Sequence, residues 1–267
     1  MMCEGDHFRC DWFTPAQVGM KAVESSSSDI AAMGGLPKYC LISISLTDET
    51  QVEWVEEMYQ AVYATLSRYD IGLVGGDTTH SKNTTIDVTV LGEVEKQNLC
   101  LRSHAKKNQL ICVTGDLGKS AAGLNLLSTE TKGNTDSYLE PKARIREARE
   151  LAPHASALID VSDGLASEVN HICRESKVGC LIYAEKVPIS DDTRQTAEKL
   201  GADPLQWALE GGEDYELVFT IDEEKLREIN LDCPITVVGR TTSNPASRQL
   251  MHSGGNTPLS GGFNHFG

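Results

Sequence analysis

Several signatures of nucleotide-binding proteins are missing from this chain of 267 residues. It has no GxxxxGK[ST] loop, no GxGxxG turn after a strand, and neither the HRD nor the DFG motif of protein kinases. The hydrolase and metalloprotease patterns GxSxG and HExxH are also missing. These absences exclude P-loop, Rossmann and protein-kinase sites, so any phosphate chemistry here must use another arrangement.

Long apolar runs and positive charge are scarce. No run approaches the roughly 18 apolar residues of a membrane-spanning helix, and the first residues lack the features of a secretory signal. Lys and Arg number 24 against 39 Asp and Glu, which gives a net charge of −15. We therefore expect no membrane and no nucleic-acid partner. An acidic protein can still bind phosphates through Mg²⁺, backbone N–H groups and a few cations.

The eight cysteines show no CxxC spacing, so neither a zinc site nor a redox pair is indicated. Cys112 and Cys180 lie in apolar runs typical of strands. Buried, reduced thiols in a cytoplasmic protein are the expectation.

Hydrophobic periodicity predicts mixed helices and strands on both sides of a polar linker at 102–108. We expect an α/β (α+β) chain of two domains, 1–104 with a mixed sheet and helices, and 105–267. Predicted helices cover 14–33, a segment after 47, a segment after 119, 163–176, 191–200, 204–209 and 223–229. Predicted strands cover 39–46, 71–74, 86–90, 110–114, 157–160, 180–184, 215–221 and 235–239, with loops at 242–261.

Four short acidic motifs stand out in the sequence: Ser28-Asp29, Gly75-Gly76-Asp77, Asp160-Val161-Ser162-Asp163-Gly164 and Gly211-Gly212-Glu213-Asp214. In three of them we expect an apolar strand to end in a tight Gly or Ser turn that carries the acid. Such turns place carboxylates at the rim of a sheet, where Mg²⁺ and phosphates bind. Each motif alone is also compatible with an ordinary turn, and Asp163 with a helix cap. Spacing alone leaves both alternatives open.

In this order the motifs, together with Asp6-His7-Phe8 and Gly262-Phe263-Asn264-His265-Phe266, resemble the thiamine-monophosphate kinase family. This family is related to aminoimidazole-ribonucleotide synthetase. The resemblance covers essentially the whole chain and implies the two-domain aminoimidazole-ribonucleotide synthetase-like fold. It also implies phosphoryl transfer from ATP to thiamine monophosphate, with Mg²⁺, in a homodimer formed through the N-terminal sheets.

The resemblance further implies a role for each matching residue. Asp29, Asp77, Asp160 and Asp163 would hold Mg²⁺, with Asp77 and Asp163 at the reaction centre. Gly76, Asp77, Arg102 and Ser162 would contact ATP. His7, Glu213 and Phe263 would contact thiamine monophosphate, where an aromatic face attracts the cationic thiazolium.

One departure from the family concerns the first residues. The family carries a Gly-Asp-Asp segment and a Thr-Asp strand end before the His-Phe motif, and both supply Mg²⁺ ligands. We expect an internal methionine of a longer gene at position 1; a true fragment, or a second chain that supplies the segment, are the alternatives. Two other functions stay open: another ATP-using member of the superfamily, or a nucleotide-binding remnant without turnover.

Overall fold

A computed structural model describes residues 1–263 of the chain. The helices in chain order are α1 (Pro15–Ala32), α2 (Val52–Arg68), α3 (Lys119–Ser128), α4 (Asp136–Leu139), α5 (Ile145–Leu151), α6 (Leu165–Ser176), α7 (Asp191–Leu200), α8 (Pro204–Glu210) and α9 (Glu223–Leu226). The strands are β1 (Met2–Cys3), β2 (Leu36–Leu46), β3 (Gly72–His80), β4 (Thr85–Glu93), β5 (Leu110–Thr114), β6 (Ala157–Asp160), β7 (Gly179–Tyr183), β8 (Leu217–Ile221), β9 (Ile235–Thr242), β10 (Arg248–His252) and β11 (Gly255–Pro258).

The first sheet has four strands in the order β1-β4-β2-β3, with β2 and β3 parallel and the other neighbours antiparallel. Its inward side chains alternate along β2 and β4, and they pack on helices α1 and α2. The helices cross closely: a Cβ at Gly19 would lie 2.3 Å from the Met58 carbonyl oxygen, so only glycine fits this position. Within residues 1–263, the opposite face of the sheet exposes Tyr39, Leu41, Val74 and Leu91.

The second sheet has seven strands in the order β11-β10-β7-β9-β5-β8-β6, antiparallel except for the β7–β10 pair. Apolar clusters cover both of its faces. One cluster joins the sheet to α6 and α8, and the other joins it to α5 and to Ala31 near the end of α1. Strands β5, β6 and β8 are buried along their whole length, in keeping with their mainly apolar sequences.

Helix α1 therefore packs on both sheets. It begins with a capping box, in which Thr14 accepts from the Gln17 N–H and the Gln17 side chain accepts from the Thr14 N–H. Pro15 occupies the first turn, where its missing N–H costs nothing. The helix ends at Ala32, and its last turn lies beside β6. Two segments distant in sequence are thus brought together at the boundary between the sheets.

Most predicted elements are confirmed, but several are wrong in detail. Gly75, Gly76 and Asp77 form no turn after a short strand; they lie inside β3, which carries an extra residue at Val74. A Cβ at Gly76 would lie 1.8 Å from the Ile42 carbonyl oxygen, so the glycine permits close strand pairing. Gly211 and Gly212 follow helix α8 rather than a strand. Only the Asp160 motif follows a strand as predicted.

Other differences concern ends and edges. The predicted loop at 242–261 contains β10 and β11, because β10 pairs with β7 and buries Leu250. The helix predicted over 223–229 is one turn only, α6 begins at Leu165 rather than Asp163, and β8 begins at Leu217. Val52 is exposed at the first turn of α2. Among the described residues, none of the helices is both long and apolar enough to cross a bilayer.

Candidate active site

A cavity of about 300 Å³ opens where α1, the β6–α6 turn and the segment 211–216 meet. Its wall is acidic and partly aromatic, and among its described lining residues none is Lys or Arg. It is lined by Met1, Met2, Asp6, His7, Ser25, Ser26, Asp29, Leu124, Tyr138, Asp160, Ser162, Asp163, Gly211, Glu213, Tyr215 and Phe263. Seven of the sequence-predicted site residues share this cavity: His7, Asp29, Asp160, Ser162, Asp163, Glu213 and Phe263.

Two of these carboxylates come from different parts of the fold. Asp29 lies in the last turns of α1, and Asp160 ends β6. The Ser28 hydroxyl donates to Asp160 Oδ2 over 2.6 Å and fixes the helix against the strand. Burial, reinforced by the charge of Asp29, raises the pKa of Asp160 to about 6. Asp29 is open to the cavity, but partial burial of its carboxylate raises its pKa too, and the charge of the Arg102 guanidinium opposes that rise.

Ser162 and Asp163 form the turn between β6 and α6. The buried Glu168 carboxylate accepts from the Asp163 N–H over 3.1 Å and from the Ser162 hydroxyl over 3.4 Å. Burial raises the pKa of Glu168 to about 8, and the charges of Asp160 and Asp163 add to that rise. The turn is thus held from behind by a carboxyl group that does not line the cavity.

The segment around Glu213 is held by hydrogen bonds to the β6–α6 turn and to the start of α3. Glu213 has a φ of 55°, in the left-handed region, and its N–H donates to the Ser162 carbonyl over 2.8 Å. The buried carboxylate of Asp214 accepts from the N–H groups of Gly118 and Ser120 at the start of α3, over 2.6 and 3.0 Å. These bonds stabilise an uncommon backbone conformation that directs Glu213 to the cavity.

His7 and Phe263 reach the cavity from the two ends of the chain. The Cys3 N–H donates to His7 Nδ1 over 3.3 Å, and the Phe263 N–H donates to the Asp163 carbonyl over 3.0 Å. Phe263 is therefore tied directly to the β6–α6 turn. The rest of the predicted aromatic tail, Asn264, His265 and Phe266, lies outside the described residues.

The remaining predicted residues lie elsewhere. Gly76 and Asp77 line a second, shallower groove between β3 and α2, with Tyr59 and Tyr63, and not the acidic cavity. The Asp77 carboxylate accepts from the Thr78 N–H over 2.8 Å. Arg102 is exposed in a short 3₁₀ turn outside the cavity wall, yet its charge opposes the rise that burial causes in the pKa values of Asp29, Asp160 and Glu168.

Sequence reasoning missed other parts of the wall. Tyr138 belongs to helix α4, for which no periodic pattern was apparent because it has only four residues. Ser25 and Ser26 lie one turn before Asp29 on α1 and carry no motif of their own. Tyr215 directly follows the Gly211–Asp214 motif, and its positive φ of 50° cannot be predicted from an aromatic residue. The buried Lys21 behind the wall was missed as well.

The donor set suits a hard divalent cation. Asp29, Asp160 and Asp163 offer carboxylate oxygens around one cavity, and their mutual repulsion is relieved when a cation lies between them. Within residues 1–263, no three His, Cys, Asp or Glu side chains form a ready metal cluster. Mg²⁺ commonly uses only one or two carboxylates and completes its shell with water and substrate phosphates. The residues present therefore fit Mg²⁺ held jointly with a phosphorylated ligand.

This two-sheet fold defines the chain as an AIR synthase related protein. Residues 1–94 match the N-terminal domain of that family and residues 106–248 match its C-terminal domain. A structure of the hydrogenase maturation protein HypE with ATP has a TM-score of 0.79 at 20% identity, which shows the shared fold alone.

Relatives with higher sequence identity identify the family within this larger group. Thiamine-monophosphate kinase of Bacillus subtilis is 36% identical over 284 residues, covering 99% of this chain and 86% of that protein. The enzyme of Aquifex aeolicus is 37% identical, covering 83% of this chain and 74% of that protein. AaThiL complexed with AMPPCP and TMP superposes with a TM-score of 0.91 at 34% identity, covering 99% and 85%. The chain belongs to the thiamine-monophosphate kinase family.

Proposed function

We propose that this chain transfers the γ-phosphoryl group of ATP to the phosphate of thiamine monophosphate, giving thiamine diphosphate and ADP. The observation that carries the proposal is a single cavity that joins three aspartates, one from helix α1 and two from the end of β6 and its turn, with the candidate thiamine-binding residues. Relatives named thiamine-monophosphate kinase, and the complex of one of them with AMPPCP and TMP, support the same reaction.

The nature of the acceptor means that the proposed reaction does not require a strong catalytic base. The attacking atom is an anionic phosphate oxygen, which needs no deprotonation by a strong base. The protein instead has to align two anionic substrates and offset their repulsion. Asp29, Asp77, Asp160 and Asp163 are the proposed Mg²⁺ ligands, and the ion supplies charge neutralisation of the phosphates when bound. The proposed reaction-centre residues are Asp163 and Asp77.

Substrate recognition follows from the remaining residues. The carboxylate of Glu213 and the ring of Phe263 suit the cationic, amino-bearing thiamine, and His7 lines the same wall. Ser162 and Arg102 are proposed to contact ATP, since Arg102 is the nearby cation whose charge acts on the acidic cluster. Gly76 and Asp77 are assigned to ATP on the resemblance, although they line the neighbouring groove.

The decisive experiment measures thiamine diphosphate formed from thiamine monophosphate, ATP and Mg²⁺ by the purified chain. We expect product from the wild type and a loss of at least about a hundredfold in Asp163→Asn and Asp77→Ala, typical for removal of a charged transition-state contact. Asp116→Asn is the matched control, because Asp116 is exposed in a turn outside the cavity.

The same assay separates the alternatives. ATP-dependent product with a different acceptor, and none with thiamine monophosphate, would indicate another superfamily activity. ATP binding without turnover on any acceptor would indicate a nucleotide-binding remnant. A folded wild-type chain that forms no thiamine diphosphate contradicts the proposed reaction and leaves the family assignment intact.

We also propose a homodimer formed through the first sheet. Its outer face exposes Tyr39, Leu41, Val74 and Leu91, an apolar surface that a second copy of the chain would cover. Sedimentation should show a dimer that Leu41→Lys weakens. A monomer at all concentrations would contradict this.

We also propose a cytoplasmic location. All eight cysteines are free thiols, which supports the reducing environment of a cytoplasm.

A further inference from the structure

Behind the cavity wall lies a buried lysine that the proposed chemistry does not use. Lys21, on α1, is only 1% exposed and does not line the cavity. An ammonium group loses its hydration on burial, so it persists there only with compensating partners. Burial lowers the pKa of Lys21, and the Glu213 carboxylate opposes that change. The lysine therefore has to be explained by what it contacts.

Four groups surround the ammonium. Lys21 Nζ donates to Glu213 Oε2 over 2.9 Å and to the His7 carbonyl over 3.4 Å. It also lies 3.9 Å from the ring centroid of Tyr138 and 5.1 Å from that of Phe13, within reach of cation–π attraction. The two rings pack edge to face at 5.4 Å. One cation thus joins three cavity-lining residues that come from separate segments.

The consequence for Glu213 is specific. Its backbone is fixed by the bond to the Ser162 carbonyl, but within this contact set its carboxylate is oriented by Lys21. The side chain of Glu213 is 26% exposed, so one oxygen can bind Lys21 while the group still faces the cavity. The same ammonium holds the backbone of His7, which sets the separation between the two residues.

We propose that Lys21 is a positioning residue that orients Glu213 and the His7 loop for recognition of the thiamine moiety, without itself touching substrate. This inference rests on the proposed function. It predicts an effect on binding of thiamine monophosphate and none on binding of ATP, because Lys21 has no contact with Asp29, Asp160 or Asp163 among its described partners.

The test compares Lys21→Met with wild type in the full chain. Binding of thiamine monophosphate is measured by calorimetry with Mg²⁺ and a non-hydrolysable ATP analogue, and KM is measured for each substrate. We expect Kd and KM for thiamine monophosphate to rise about tenfold or more, the loss typical of a charge-assisted hydrogen bond. KM for ATP should stay within about twofold of the wild-type value.

Glu24→Gln is the matched control. Glu24 is a buried charged residue on the same helix, bonded to Arg68, Tyr69 and the Ala143 N–H, and none of these lines the cavity. It should leave both KM values unchanged even if stability falls. In Glu213→Gln, the further change Lys21→Met should add little to KM for thiamine monophosphate, because the two residues act as one unit.

If Lys21→Met does not fold, Lys21→Arg decides. A guanidinium keeps the charge but does not reproduce a compact ammonium between two rings, so KM for thiamine monophosphate should rise about threefold with KM for ATP unchanged. Unchanged KM values, or an equal rise in both, overturn the inference. Wild-type protein that binds no thiamine monophosphate overturns the proposed function and this inference with it, whereas wild-type binding that the folded variants leave unchanged overturns this inference alone.

Discussion

Glu216 should carry an unusually large share of the stability of the second sheet. Its carboxylate is 1% exposed. One oxygen accepts from Thr114 Oγ1 over 2.8 Å and from Arg144 Nε over 2.7 Å. The other accepts from Arg144 Nη2 over 2.8 Å and from the Lys119 ammonium. Two cations and a hydroxyl therefore depend on one buried negative charge.

Glu216→Gln keeps the size of the side chain and removes only that charge. Loss of one partner from a buried ion pair costs about 3–5 kcal/mol, since the opposite charges stay buried without compensation. Arg144 retains Glu147 at 3.0 Å, which favours the lower value, about 3 kcal/mol. For a chain of this size we expect a fall in melting temperature of roughly 6–12 °C.

The pH dependence gives an independent check. Burial alone would raise the pKa of Glu216, but its bonds to Arg144 and the charges of Arg144 and Lys119 lower it below the ordinary 4.5. A carboxyl whose folded pKa is lowered stabilises the protein above its unfolded pKa, and that contribution is lost as the pH falls through the folded value. The difference between wild type and Glu216→Gln should therefore be constant from about pH 5 to about pH 8 and should shrink below pH 4.5.

Urea unfolding across this pH range measures the difference in free energy of unfolding. Glu147→Gln is the control, because this partner of Arg144 is part-exposed and should contribute less than about 1 kcal/mol. A loss below about 1 kcal/mol for Glu216→Gln at pH 7, or a loss that does not diminish in acid, would refute the assignment of stability to this charge network.

Two smaller predictions concern the backbone. Gly76→Ala should destabilise the first sheet by at least about 2 kcal/mol, because the new Cβ would meet the Ile42 carbonyl at 1.8 Å, whereas Gly75→Ala, with its nearest neighbour at 3.8 Å, should be tolerated. Equal melting temperatures for the two variants would contradict the close approach. Thr14→Ala should cost about 1 kcal/mol by removing the cap that accepts from the Gln17 N–H. Urea unfolding tests this second change, and an unaltered midpoint would show that the cap is dispensable.

Local sequence signals predicted the helices and strands that are determined by residues close together in the sequence. The Thr14-Pro15 start of α1 follows from capping chemistry, and the apolar run at 110–114 gave β5. Strand β10 was missed because its residues are largely polar, and its order comes from parallel pairing with β7. The glycines of β3 were taken for a turn because a bulge and a close strand contact use the same residue as a turn does.

For the candidate site, the ordered motifs predicted seven residues that the fold brings to one cavity. The spacing of the motifs alone could not have predicted this shared cavity, since most of the first sheet and the linker lie between Asp29 and Asp160 in the sequence. The placement of Asp77 in a different groove was not foreseen either, because its position depends on strand pairing rather than on its motif. The network of Glu216 could not be predicted from composition, because its partners come from three other segments of the chain.

Helix α1 shows which residues fix the arrangement of the two sheets that local sequence signals did not predict. Besides its apolar face it carries a second, polar stripe at Lys21, Glu24 and Ser28, all buried. Each member bonds to the far part of the chain: Lys21 to Glu213, Glu24 to the backbone N–H of Ala143, and Ser28 to Asp160. Apolar contacts alone would allow the helix to slide, whereas buried polar bonds are satisfied in one register only. This stripe, spaced i, i+3 and i+7, therefore fixes the second sheet against the first, and its two outer members, Lys21 and Ser28, bond to residues that line the cavity.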